Sequence, residues 1–531
     1  MHVLEVVIAM LLGGAALAAV ARRIGAPYPA LVALAGAGLA LVPGIPSLVL
    51  DPELALALFV APVLIDAAFD ASPRDLRANW RAVAGLALGA VALTVGVVAV
   101  VMRLLVPDMP WAAAVVLGAV VAPPDAAAAT TVLKQLRPPH RLLVILEGES
   151  LFNDASALLI YRLAVGATLT GTLSGWSVLP TLLVVTLGSI VLGLVLARVS
   201  LAVNARIRDV PLAIVVQFCT TFGVWILAEE LHLSGIVTTV VFAMAASRRT
   251  PEIMPARLRV PSWAVWEVAV FVLNVLAFIL VGFQLKSIAE RLTRAEGEWY
   301  ATVAAVVCAT VILARLAWLS GVAGLSRWRR HRRADDDAGH TYTAALSARD
   351  AAVVGWCGMR GTVTLAAALA LPTMEHGGLE FPYRDLIIVT AFGVVLGTLV
   401  LQGLSLRPLL RGLGLKDDGS VDHEVRIARA EMLRAALAAA EDYPDAETAA
   451  LVRHRYELQL RRAEAALVGH GQDDGNQDAD QEVVRAATGA QRRRLFALRS
   501  DGTIGDAAFQ RVEEELDWAE LDWDRLVQPS A

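Results

Sequence analysis

The stretch LEGESLFNDAS, residues 146–156, sets Glu147, Glu149 and Asp154 within eight positions of one another between long apolar runs. On a helix turning about 100° per residue, Ser150 and Asp154 fall one turn apart, and Glu149 and Asn153 occupy the adjoining strip. The result is one polar face carrying two acids, an amide and a hydroxyl. Such a face can hold neighbouring helices together by hydrogen bonds, and its oxygens can also hold a hard cation or a proton. An acid or Arg at mid-span costs about 2.5–3.5 kcal/mol on insertion scales, so this many polar groups together point beyond helix packing.

Other positions of this kind are few: Asp66 and Asp70 in APVLIDAAFD, Asp125 in APPDAAAATT, Glu267 and Asn274 in WEVAVFVLNVLAF, Arg315, and Arg360 in GMRGTVTLAAALALP. Ser150 is not the nucleophile of a GxSxG elbow, because position 152 is Phe, and no His lies at membrane depth to act as base. That argues against an enzyme. Cys219, Cys308 and Cys357 form no CxxC, and the histidines form no HExxH cluster, so neither a disulfide framework nor a catalytic zinc is indicated.

The elements that must position these residues are membrane helices. Of the 531 residues, 57% are hydrophobic and 18% charged, which places the chain in a bilayer. A net charge of -5, with Lys and Arg confined to short clusters between apolar runs, argues against nucleic acid as a partner. Residues 1–410 contain about thirteen apolar stretches near the length needed to cross the hydrocarbon core, among them 111–133, 143–169 and 350–372. The first follows no basic segment, so it reads as a span and not as a leader. Basic clusters occupy every second connection, with Lys286, Arg291 and Arg294 as the exception. This pattern predicts an N-terminus outside and a C-terminus in the cytoplasm.

Two spans look interrupted. Pro123-Pro124 removes two backbone donors near the middle of 111–133 and frees carbonyls beside Asp125. A simple proline kink is the plain alternative; carbonyls lining a cavity at this depth would be ligands for a hard cation. In the C-terminal half, GWCGMRG (355–361) places three glycines around Arg360. Interrupted spans in corresponding positions of two halves are the mark of an inverted-repeat transporter with its site at the midplane. No repeated filter or ring of like charge, as a channel would carry, is seen. The expected fold is therefore an all-α polytopic membrane protein with inverted repeats and two interrupted core helices. A soluble helical tail follows over 411–531, with helices at 421–443 and 445–468, a polar linker at 469–480 and two more helices around SDGTIGD (500–506).

With these motifs in hand, residues 1–410 resemble the monovalent cation/proton antiporters of the CPA1 family, the Na+/H+ exchangers of the bacterial NhaP and animal NHE type. The likeness is carried by APPDAAAATTVLKQL, LEGESLFNDASAL, LAEELHLSGIVTTVVFAMAASRR, WEVAVFVLNVLAFILVGFQL and CGMRGTVTLAAALALP. EGESLFND followed much later by GMRG is the specific combination. The resemblance implies that Asp154, preceded by Asn153, takes Na+ or H+. Ser150, Asp125 and the carbonyl of Pro124 would complete the cation shell, and Asp66 would contribute through water. Glu149 and Arg360 would form an ion pair tying the core together. Many members have Thr-Asp-Pro at the first break where this chain has Pro-Pro-Asp-Ala, so a side-chain hydroxyl is absent here.

The resemblance further implies electroneutral exchange of Na+ for H+, because members with Asp at the position of Asn153 are electrogenic. It implies a homodimer in the plasma membrane that serves pH and sodium homeostasis, with no cofactor beyond the transported ions. A K+/H+ exchanger would use the same residues, and a cation channel or membrane sensor is the reading from another class. The tail shows no P-loop or GxGxxG and reads as regulatory or interaction helices whose partner the sequence does not name.

Overall fold

The computed structural model describes residues 2–24, 27–40, 52–126, 129–130, 132–133, 138–170, 175–333, 347–372, 381–415, 417–441, 447–468, 474–501, 503, 508–509, 512–513 and 515–518. Among these every regular element is a helix. The chain divides into two compact units, 1–418 and 419–531.

The first unit contains α1 (His2–Ile24), α2 (Tyr28–Ala40), α3 (Pro52–Asp70), α4 (Pro73–Ala84), α5 (Val91–Leu105), α6 (Trp111–Val121), α7 (His140–Thr170), α8 (Gly175–Asn204) and α9 (Val210–Glu230). It continues with α10 (Gly235–Ser247), α11 (Ala256–Ala289), α12 (Arg294–Arg333), α13 (Ala348–Trp356), α14 (Thr362–Leu369) and α15 (Arg384–Leu413). A helix, or an interrupted pair of helices, lies at each expected span. Several run past the hydrocarbon thickness, because a helix whose backbone is already hydrogen-bonded has no reason to stop at the interface. Its ends are set by local signals instead. Ser72 begins α4 by accepting the Asp75 N–H at 3.3 Å, and Pro73 occupies the first turn, where no backbone donor is needed.

The helices form two bundles. In one, α5, α6 and α7 pack together and α12 packs on α5, α13 and α15. In the other, α2 packs on α11, and α3, α8 and α9 pack on α10. The bundles meet where α14 and α7 touch α3 and where α2 touches α15. Between α4 and α5 the helix widens to a π turn over Gly85–Ala90. Ser156 of α7 donates to the Ala87 carbonyl in that turn at 2.6 Å, satisfying an acceptor that the widened ladder presents.

In the second unit, α16 (Ser420–Glu441) packs on α17 (Glu447–Val468), joined by Arg434 to Glu464 at 2.8 Å. The helix α18 (Asp474–Ser500) follows. Here the expectation needs correcting, since 474–480 are helical and not linker. Asp474 is the first residue of the helix, a position where the partial positive charge of the helix start favours a carboxylate. Beyond Ser500, Asp501 accepts from the N–H and the hydroxyl of Thr503, the local bonding of a turn.

Candidate functional site

The two interrupted helices cross at their breaks. After α6 ends at Val121, residues 122–125 leave the helix, because neither Pro123 nor Pro124 can donate to the ladder. After α13 ends at Trp356, residues 357–361 are irregular until α14 begins. The Asp125 N–H donates to the Met359 carbonyl at 2.7 Å, joining one break to the other. This close passage needs glycine: a Cβ on Gly361 would stand 1.7 Å from Asp125 Oδ2. Gly361→Ala is therefore expected to lower stability by about 1–3 kcal/mol and to reduce transport sharply by displacing Asp125. Thermal unfolding and initial transport rates in liposomes measure the two effects, and wild-type values for both would show that the crossing yields freely.

A helix end inside a bilayer leaves carbonyls that water cannot reach. Arg360 supplies the donors. Its Nε and Nη2 bond to the carbonyls of Val121 and Ala122 at 2.9 and 3.1 Å, Nη1 bonds to the Gly358 carbonyl, and the Arg360 N–H is accepted by the Thr398 hydroxyl at 3.1 Å. The guanidinium thus caps α6, with its charge set against the negative end of that helix, and also holds the Gly358 carbonyl within the second break. It is not the partner of Glu149, which corrects the expected ion pair. Glu149 accepts both arms of Arg315, with Nη2 to Oε2 at 2.7 Å and Nη1 to Oε1. Both side chains are 2% exposed. Arg315, at mid-helix in α12, also donates to the Val354 carbonyl from Nε at 3.2 Å and Nη2 at 2.9 Å, so the pair ties α7 and α12 to α13.

Asn153 and Asp154 of α7 lie against the first break. Asn153 is fully buried, and its Nδ2 donates to the Pro124 carbonyl at 2.8 Å. Its Oδ1 has no donor among the described residues. Ser150 accepts the Ala126 N–H at 3.3 Å, capping the helical residues that resume after the break. Asp154 is 6% exposed and has no hydrogen bond or ion pair among the described residues; the charge acting on it is that of Asp125. The structure thus gathers Asp154, Asn153, Ser150, Asp125 and Pro124 at one crossing. Asp66 lies in the wall of a cavity of about 590 Å³ that also includes Asp70, Glu267, Gln217 and Asn274. That cavity reaches from Asn204, Thr250 and Arg259, at the basic connections, inward to Tyr28.

Tyr28 is a site residue that sequence reasoning passed over. Its hydroxyl bonds to Asn274 and stands within electrostatic range of Asp125, so it links the cavity to the crossing. In sequence it looks like an interfacial aromatic at a helix start, and only the packing of α2 on α11 reveals its depth. Arg315 did carry a signal, as a lone guanidinium in an apolar span needing an acid.

A family model described as the sodium/hydrogen exchanger, transmembrane, matches residues 7–412. The chain belongs to this exchanger family. It is a multi-pass membrane antiporter exchanging Na+ for H+. The exchanger is 30% identical over 527 residues to an uncharacterized Na(+)/H(+) exchanger of Mycobacterium tuberculosis, covering 96% of this chain and 93% of that one. It is also 30% identical to the low-affinity Na(+)/H(+) antiporter NhaS1 of Synechocystis, covering 81% and 79%. A sodium, potassium, lithium and rubidium/H(+) antiporter of Bacillus subtilis is 30% identical over 68% of this chain and 54% of its own. Among solved structures, the sodium proton antiporter MjNhaP1 from Methanocaldococcus jannaschii shares the fold, with a TM-score of 0.59 at 18% identity over 76% of this exchanger and 99% of that chain.

Proposed function

We propose that Asp154 is the carrier carboxylate, that Na+ and H+ compete for it, and that exchange is one for one and electroneutral. The observation behind this reading is a buried acid with no protein partner among the described residues, beside a second acid. An isolated charge in so dry a position is strongly disfavoured, so the carboxylate favours being occupied. A proton neutralises it, and so does a cation. The groups around it suit Na+ as cargo: the Asp125 carboxylate, the Asn153 Oδ1, which has no donor among the described residues, and the Pro124 carbonyl, which keeps a second lone pair beside the one Asn153 engages. The Ser150 oxygen is shared with its capping bond. The reading calls for no resident cofactor.

Coupling follows from the cost of moving an empty site. With either ligand aboard the net charge is the same, and without one the bundle carrying both breaks would have to move an unpaired charge across the apolar seam. The cavity runs inward from the end bearing the basic connections, which we assign to the cytoplasm, as far as Tyr28, within electrostatic range of Asp125, and we propose it as the ion's route toward the site. We further propose that the exchanger works as a homodimer in the plasma membrane, with its helical tail in the cytoplasm, for pH and sodium homeostasis.

Exchange driven by a pH gradient in liposomes, with Na+, K+ and Li+ offered separately, tests the reading. Na+ is expected to dissipate the gradient and to accumulate against its own. K+ alone doing so would make this a K+/H+ exchanger using the same residues, a reading that the name of the Bacillus relative keeps in view. Initial rates are expected to be insensitive to an imposed potential. Moving one net charge would change the driving force by about 2.3 kcal/mol per 100 mV, so a sustained current would overturn electroneutrality.

A further inference from the structure

A second groove, about 1350 Å³ in volume, runs between α7 and the pair α9 and α10. Its walls are apolar over most of its length, with Phe152 and Leu159 of α7, Leu88 of the π turn, Ile226 of α9 and Val237 of α10. Leu88, Phe152 and Ile226 are 61%, 41% and 53% exposed, so this surface is open to whatever surrounds the protein. In a bilayer that is acyl chain.

The two ends of the groove are polar, and they differ. At one end Arg162 is already neutralised: its Nη2 bonds to both oxygens of Glu229 at 2.8 Å, and Glu229 also accepts the Gly235 N–H at 3.1 Å. At the other end, on the side of the basic connections, Arg77 of α4 lines the groove beside Trp80. Arg77 is exposed and makes no hydrogen bond or ion pair among the described residues. Its neighbours on α4 are engaged, Arg74 with Asp75 at 3.2 Å and Arg81 over the Trp80 ring at 5.6 Å. Trp80 is 58% exposed, as suits an indole at headgroup level.

We propose that this groove is a binding site for an anionic phospholipid, with acyl chain along α7, α9 and α10 and the phosphate on Arg77. An uncompensated guanidinium at the interface favours a negative headgroup, whereas the Arg162–Glu229 end, with Glu230 also in its wall, offers no net positive charge to select one. The site therefore belongs to one leaflet, that of the basic connections. Its occupant touches the ion-site helix at Phe152, next in sequence to Asn153. The inference requires only that the chain lie in a bilayer, and its test reads binding without transport, so it stands or falls separately from the assignment of Asp154.

The full-length protein in mild detergent is titrated with phosphatidylglycerol or phosphatidylcholine, and bound lipid is counted by native mass spectrometry beside the thermal unfolding midpoint. Phosphatidylglycerol is expected to bind about fivefold more tightly, the contribution of one interfacial Arg, and to raise the midpoint more. Arg77→Gln should bring the ratio to near one, while Arg208→Gln, at an exposed Arg of the same end outside the groove, should leave it unchanged. Ala155→Leu, which fills the groove, should weaken both lipids. Preference retained in Arg77→Gln, preference lost equally in Arg208→Gln, undiminished binding to Ala155→Leu, or equal protection by inorganic phosphate would each overturn the proposal.

Discussion

Asp154→Asn is expected to abolish cation uptake driven by a pH gradient while leaving the exchanger folded. The carboxylate is buried and forms no hydrogen bond or ion pair among the described residues, so its removal breaks no such bond there. Taking away a buried charge relieves a desolvation cost, and the unfolding temperature should stay level or rise. Function is lost because an amide neither takes up a proton near neutral pH nor supplies a negative charge to a cation. Uptake in liposomes should fall to the protein-free background for Na+, K+ and Li+ alike. Retained uptake would transfer the carrier role to another acid, with Asp125 the first to test.

The largest effect on stability is expected at Glu149 and Arg315. Glu149→Gln or Arg315→Gln alone should cost about 3–5 kcal/mol, because each leaves the opposite charge buried without its partner. Read as folded yield and unfolding temperature in detergent, both single variants should be severely impaired. Replacing the two together should restore much of the loss, though not all, since Arg315 also caps the Val354 carbonyl. Glu149→Gln combined with Arg360→Gln should show no such recovery. Recovery in that second pair, and none in the first, would reinstate the pairing inferred from the family resemblance.

What could be read from the sequence follows from the chemistry of single residues. Pro123 and Pro124 cannot donate to a helix wherever they are placed, so the first break is visible without a structure. Charges at mid-span are unfavourable enough to mark Asp154, Glu149, Arg315 and Arg360 one by one. The partner of each was not legible, because pairing across 166 positions is decided by how α7 and α12 are set around α13. The role of Arg360 was hidden for a related reason. Its ligands are backbone oxygens, which every residue has, so no pattern of side chains announces them. Tyr28 fell outside the candidate set because its type is ordinary at a helix start, and the cavity that makes it interesting is built by helices distant in sequence. In the tail, a run of Asp, Gly, Asn and Gln reads as linker by composition, yet acids at the start of a helix are locally favourable, and that preference decides at Asp474.

The contrast between the two buried guanidiniums also bears on genetics. Arg315 answers to a side chain, so a damaging change at Glu149 has a possible suppressor at position 315, and the reverse. Arg360 answers to main-chain oxygens of Val121, Ala122 and Gly358, which no codon change can remove or invert. A selection for revertants should therefore yield second-site alleles for Glu149 or Arg315 and only same-site reversion for Arg360.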